Sequence, residues 1–416
     1  MIFNGMIPRI YSTTGQALAV VAAVICCEPN VAAAASPLSE EIALKGITAT
    51  RDRLRGAGPL KDEENFALAG MELLRGVEEA LQARWRVGLS NDLEWLPVMR
   101  LPIPENPNPD AFDPGIVSAI FRQVVTRAVD ADATLSQISE GSDFKLEIET
   151  SDIWFDINAN GQADPGESFA EVMGLALPPE VQRLINPDEV PTVPSFSIHF
   201  DVADAFWLKA YANLIAGVGE TVVAYDPTKA IGDVVRSRAK FAEMGSFRPS
   251  GMFDFVGIAD IVAIVKNALD QQPDRAGLQR AHSHFLTMVK ENRVFWRLVD
   301  LETDNDAEWI PNARQTSALG LEFPPETGAV WQGVLADAEA LLRGEALAPY
   351  WQLDGQAGIN VKRMLLEPRP IDLLNWIQGQ DALPYIERGQ VMSLASWSAF
   401  ENLVVGDALM FAIILN

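Results

Sequence analysis

Cysteine is almost missing from this chain: there are two, Cys26 and Cys27, side by side near the start. Both fall in a stretch that reads as removable. The remainder then has no thiol for a disulfide, a thiolate metal site or a nucleophile. Histidine is as scarce, with His199, His282 and His284 the only three. His282 and His284 are two apart, which on a helix places them on different faces. No HExxH accompanies them, so zinc chemistry lacks its ligand set. GxSxG, Walker-type and GxGxxG patterns are also absent, which removes the easily recognised hydrolases and nucleotide binders.

Positive charge is in short supply too. Lys and Arg total 32 against 57 Asp and Glu, a formal net charge of −25. Such a surface repels phosphate backbones, so nucleic acid is not an expected partner, and it would avoid anionic membranes. It attracts cations instead. Long apolar runs are missing: residues 17–25 and 408–415 both fall short of the roughly 20 needed to span a bilayer. An integral membrane protein is therefore not expected.

What is present is the composition of a folded protein, 48% hydrophobic and 21% charged, long enough for a sizeable core. Residues 1–35 read as an export signal: Arg9, then the apolar stretch 17–25, then Ala33, Ala34 and Ala35 before Ser36. The expected location is periplasmic or extracellular. Residues 36–416 would form the mature helical domain. A break near 191–195 suggests two lobes, 36–194 and 195–416, on separate cores or a shared one.

Helical periodicity dominates that domain. Phe66, Gly70, Leu73, Val77, Leu81 and Trp85 recur at three- and four-residue steps. Val202, Trp207, Tyr211, Leu214, Val218 and Val222 form a second stripe. Ile258, Ile261, Val262, Val265 and Leu269 form a third, and Val330, Val334, Ala338, Leu341 and Leu342 a fourth. Proline-rich connections at 102–109, 178–194 and 367–370 separate them. The expected fold is mainly α: helical hairpins in a bundle, toroid or irregular solenoid. One short β element, over 144–154, would lead into the segment described next.

Residues 156–167 read DINANGQADPGE. A hard cation such as Ca2+ takes six to eight oxygen ligands, which a twelve-residue loop supplies from positions 1, 3, 5, 7, 9 and 12. Those positions hold Asp156, Asn158, Asn160, the carbonyl of Gln162, Asp164 and Glu167. Gly161 stands at position 6, where the turn requires positive φ. The segment resembles an EF-hand calcium loop at every ligand position. That resemblance implies Ca2+ as the bound ion, with Glu167 as a bidentate ligand. It departs from the EF-hand pattern in its approach, since Ile153, Trp154 and Phe155 look extended, and in Ala163, a small residue at position 8. With no second such loop, a solitary structural site is expected. Pro165 suits the first turn of the exit helix, continuing through Phe169, Val172 and Met173.

Other constellations carry less. Asp300, Glu302, Asp304, Asp306 and Glu308 read as a solvated acidic loop at a helix end. The block 308–315 combines Glu308, Trp309, Asn312, Arg314 and Gln315, a mixture suited either to polar recognition or to a helix cap. With 204–211 and 367–370 it resembles segments of uncharacterised exported bacterial proteins, a likeness that implies no activity. Three functions stay open. The first is an exported calcium-binding protein with a binding or scaffold role toward a protein or glycan partner. The second is a periplasmic α/α-toroid hydrolase or lyase acting on polysaccharide, with Tyr211, His282, His284 and Arg314 the first residues to test. The third is a solute-binding module using Arg314 and Gln315. No catalytic residue can be selected by spacing.

Overall fold

A computed structural model describes residues 36–89, 101, 103–175, 195–245, 256–305, 308–318, 324–403, 412, 415 and 416. The expected signal 1–35, the connection 178–194, Asp306 and most of the tail 408–415 lie outside them. Among the described residues there are twelve α-helices and two small antiparallel sheets, so the protein is mainly α.

The N-terminal half supplies α1 (Pro37–Gly56), α2 (Asp62–Arg86), α3 (Ile116–Leu135), β1 (Leu146–Glu149) and α4 (Phe169–Leu175). Next come β2 (Ser197–Phe200), α5 (Val202–Tyr225), α6 (Thr228–Met244), α7 (Val256–Leu269) and α8 (Arg275–Val299). The chain ends with α9 (Thr327–Arg343), β3 (Ala357–Ile359), α10 (Val361–Leu366), α11 (Leu373–Gln378), β4 (Ile386–Arg388) and α12 (Ala395–Leu403). The four apolar stripes fall on α2, α5, α7 and α9.

Local chemistry fixes the helix ends. Asp62, Glu63 and Glu64 occupy the first turn of α2, and Arg84 and Arg86 its last, each complementing the helix dipole. Asp201 caps α5 by accepting from Ala203 N at 2.7 Å, while Asp204 reaches back to Asp201 N at 3.0 Å. Asp274 accepts from Ala276 N and Gly277 N at the start of α8. Gly344, at φ 70°, ends α9 in the left-handed conformation.

Packing runs α2 on α3, α3 on α5 and α5 on α8, with α9 continuing from α8 and α12 from α9. Gly217 lets α5 press against α8, since a Cβ there would sit 2.6 Å from the Phe285 ring. One core draws Leu54, Met71 and Ile157 together with Phe295, Trp331 and Phe400, so both sides of the 191–195 break contribute to it. A satellite cluster of Tyr350, Ile359, Ala382 and Tyr385 organises the β3–β4 unit.

The expected β element is present but not as a local hairpin. β1 pairs with β2, Leu146 opposite Phe200 and Ile148 opposite Ile198, across some fifty residues of chain. The β3–β4 sheet was not anticipated.

The α1 helix breaks at Gly46, at φ 77° and ψ 173°. Trp154 fills the break: its Nε1 donates to Ile42 O at 3.2 Å, and a Cβ on Gly46 would lie 2.7 Å from its ring. Gly46→Ala meets both left-handed strain and overlap with a buried aromatic. We expect it to cost about 2–4 kcal/mol in urea denaturation. A cost under about 0.5 kcal/mol, within the range of ordinary surface changes, would mean the break is not a fixed feature.

Candidate metal centre

The loop 156–167 is closed at its neck before any ion is considered. Phe155 N donates to Glu167 O at 2.8 Å and Phe169 N to Ile153 O at 2.9 Å, with Trp154 bridged to Ser168. The approach is extended, after a short 3-10 turn at Thr150–Asp152. The exit helix begins later than Pro165 suggested. Its start is set by Ser168 and Glu171, whose side chains each accept from the other's backbone N at 3.2 Å. Pro165 lies in the turn ahead of it.

Each expected ligand except Gln162, whose carbonyl is its donor, is held by its side-chain oxygen inside the ring. Asp156 accepts from Asn160 N at 2.9 Å and Gly161 N at 3.0 Å. Asn158 Oδ1 accepts from Asn160 N at 3.0 Å, and Asn160 Oδ1 from Gln162 N at 2.8 Å. Glu167 closes the circuit: Oε1 accepts from Ile157 N at 2.8 Å and Asn158 N at 3.3 Å, and Oε2 from Asp164 N at 3.0 Å. Gly161 takes φ 77° as expected, and Ala159 joins it at φ 58°. The side-chain oxygens of Asp156, Asn158, Asn160 and Glu167 thus all turn toward the backbone N–H groups of the loop.

The donor set fits a hard cation, with one qualification in its arrangement. The Asn158 and Asn160 amide nitrogens both donate to Asp164 Oδ2, at 2.7 and 2.6 Å. Among the described residues no three His, Cys, Asp or Glu side chains converge closely enough to ligate one ion. The two amide groups hydrogen-bond to Asp164 where a cation would sit. Charge favours the ion: no Lys, Arg or His occurs between Lys145 and Arg183. Glu167 is fully buried, and burial pushes its carboxyl above the usual range against the backbone N–H groups that favour the anion. A buried carboxylate with no basic partner is costly unless a cation supplies the charge.

Spacing alone missed the loop's anchor. Glu78 and Gln82, one turn apart on α2, grip Asp156 by its backbone: Asp156 N donates to Glu78 Oε2 at 2.9 Å, and Gln82 Nε2 to Asp156 O at 2.7 Å. Thr48 Oγ1 donates to Glu78 at 2.8 Å, tying α1 into the same junction.

The remaining candidates scatter. His282 Nε2 donates to Leu342 O at 2.7 Å, and His284 Nδ1 to Asn213 Oδ1 at 2.8 Å, both at helix contacts. Arg314 binds the Asp300 and Glu302 carbonyls at the end of α8, so it caps a helix, and Gln315 reaches Glu302 at 3.1 Å. Tyr211 stacks on Trp207 at 5.3 Å, and Trp309 meets Trp207 edge-on at 5.3 Å. His199 lies in a β-bridge to Glu308, next to Trp309.

The acidic run does sit at a helix end, but part of it is not solvated. Glu308 is buried, and Glu302 faces Asp201 and Glu308. Burial, then the Asp201 charge, raise Glu302 to about 7, and Asp204 beside it is pushed well above the carboxylate range. Lys145 holds Asp304 low through a 2.9 Å contact. A carboxyl that binds its proton more tightly when folded contributes most stability below the unfolded pKa of about 4.3. That contribution is lost as pH rises toward about 7. Glu302→Gln, which mimics the protonated form, is therefore expected to raise the thermal midpoint at pH 8 and leave it nearly unchanged at pH 4.5. Equal shifts at both would contradict the assignment.

No family model matches the chain, and neither a curated protein nor a solved structure does.

Proposed function

We propose that this is an exported, periplasmic or extracellular, calcium-binding helical protein in which a single Ca2+ fastens the 150–175 segment to α1 and α2. The observation that carries the reading is the closed ring of oxygen donors around a buried Glu167 that has no basic partner among the described residues. Asp156, Asn158, Asn160, the Gln162 carbonyl, Asp164 and Glu167 would hold the ion. The ion supplies positive charge and rigidity and no chemistry. Solitary loops with three carboxylates belong to the weak extracellular range, with Kd of about 10−4 to 10−3 M. The role toward a protein or glycan partner is that of a scaffold. Calorimetric titration with CaCl2 tests this: one site in the native chain and none in Glu167→Gln supports it, and no heat from the native chain refutes it.

The rival reading, a polysaccharide-active enzyme, draws on Glu302, a carboxyl near pH 7 beside other acids. Against it stands the burial of Asp204, Glu308 and Trp207, which leaves little room for a glycan among them. A depression of about 510 Å3 between α2 and α3 is lined by Arg75, Glu79, Arg86, Asp110 and Asp113, with no tryptophan among the described residues of its wall.

A further inference from the structure

We propose that Asn160 is a self-modification site: its carboxamide closes on the backbone nitrogen of Gly161, releases ammonia and reopens as a carboxylate, which adds a negative charge to the loop 156–167. Asparagine is a thermolabile residue because its side chain can undergo this closure. Asparagine followed by glycine meets the least hindrance, since glycine has no Cβ to shield its nitrogen. Asn160–Gly161 is the only such pair after residue 35. Both residues are exposed, and a Cβ placed on Gly161 would have nothing within 4 Å, so water reaches the pair and the chain has room to close.

The loop supplies the groups that the step calls on. Gly161 N, the nucleophile, donates to Asp156 Oδ2 at 3.0 Å, an acceptor placed to take the proton that this nitrogen loses. Gln162 N donates to Asn160 Oδ1 at 2.8 Å, where negative charge gathers as the side-chain carbonyl is attacked. The bond from Gly161 N to Asn160 Cγ forms and the bond from Cγ to Nδ2 breaks. The amide departs as ammonia with the proton from Gly161 N, and water opens the cyclic imide at either carbonyl to aspartate or isoaspartate. Asn158 is the internal comparison. Its amide also donates to Asp164, at 2.7 Å, but Ala159 follows it and carries the Cβ that Gly161 lacks. Aspartate at position 160 can no longer donate to Asp164, so two carboxylates stand where an amide met one. The ion-free loop is then weakened and its hold on a cation strengthened, since affinity rises with ligand charge. This effect on the ion rests on the loop being a calcium site, whereas imide formation does not.

Peptide mass mapping of the full protein, kept for weeks at mildly alkaline pH in EDTA, tests this. The peptide holding Asn160 is expected to gain the mass difference between an amide and an acid, assigned to residue 160 by fragmentation and divided between aspartate and isoaspartate. Asn158 in the same peptide should stay unchanged. Gly161→Ala should slow the gain about tenfold, a barrier higher by about 1.4 kcal/mol. Gly161→Asn, which tolerates the left-handed turn, should slow it similarly, so a distorted loop is not the cause. No gain at residue 160, an equal gain at Asn158, or a rate that neither substitution changes would overturn the proposal. Saturating calcium should slow the gain, because the ion holds Asn160 Oδ1 and Asp156 away from the step. A gain indifferent to calcium would count against the calcium site and leave the modification standing.

Discussion

Saturating calcium is expected to raise the thermal midpoint of the native protein by about 3 °C, and Glu167→Gln to remove the rise. The figure follows from linkage: an ion at about 100 times its Kd stabilises the folded state by about 2.7 kcal/mol. Unfolding entropy scales with length, and for a chain of this size that energy corresponds to a few degrees. Chelation should return the native protein to the midpoint of the variant. The pH dependence has a definite sign. Without the ion, Glu167 is a carboxyl whose folded pKa is raised by burial. Its contribution is then greatest at low pH and is lost as pH rises. A bound ion would favour the anionic form and reverse that trend. Midpoints with and without calcium should therefore diverge as pH increases and merge as it falls, with merging under way before ordinary carboxylates protonate. Curves that stay parallel throughout would remove Glu167 from the site.

Glu78→Ala is expected to cost about 3 kcal/mol, the low end for breaking a buried pair by deleting one partner. Glu78 is 1% exposed and serves Thr48, Asp156 N and Arg75 together. Its loss leaves a backbone N–H and a hydroxyl without acceptors, each costing about 1–3 kcal/mol when buried. Arg75 retains Glu79 at 3.0 Å, which limits the damage. Glu78→Gln keeps an acceptor for Asp156 N and should cost less. The urea midpoint measures both, and the alanine variant should also bind calcium more weakly, because Asp156 is no longer fixed from outside the ring. A loss below about 1 kcal/mol, no more than a typical point mutation, would show that the loop is not fastened at this point.

Local geometry was legible because spacing encodes it. The stripe from Phe66 to Trp85 became α2, and the stripe beginning at Val202 became α5. The register of Asp156, Gly161 and Glu167 placed oxygens and a left-handed turn where they occur. What periodicity does not encode is which face meets which. Ile258, Val262 and Val265 form as regular a stripe as any, yet their face is exposed. The Glu78 and Gln82 anchor lies more than seventy residues before the loop it holds. Glu302 and Glu308 reach Asp201 and Asp204 through the packing of α8 on α5 and the bridge between Glu308 and His199. Pro165 was misplaced for a local reason: the Ser168–Glu171 pair caps the helix more strongly than a proline starts it.

The most direct test is a crystal structure of the protein grown in excess calcium. The account predicts one ion inside the 156–167 ring, with oxygens of Asp156, Asn158, Asn160, Gln162, Asp164 and Glu167 at about 2.3–2.6 Å. The Asn158 and Asn160 amides would have given up Asp164. A ring unchanged from the present one, with those amides still bonded to Asp164 and no density at its centre, would contradict it.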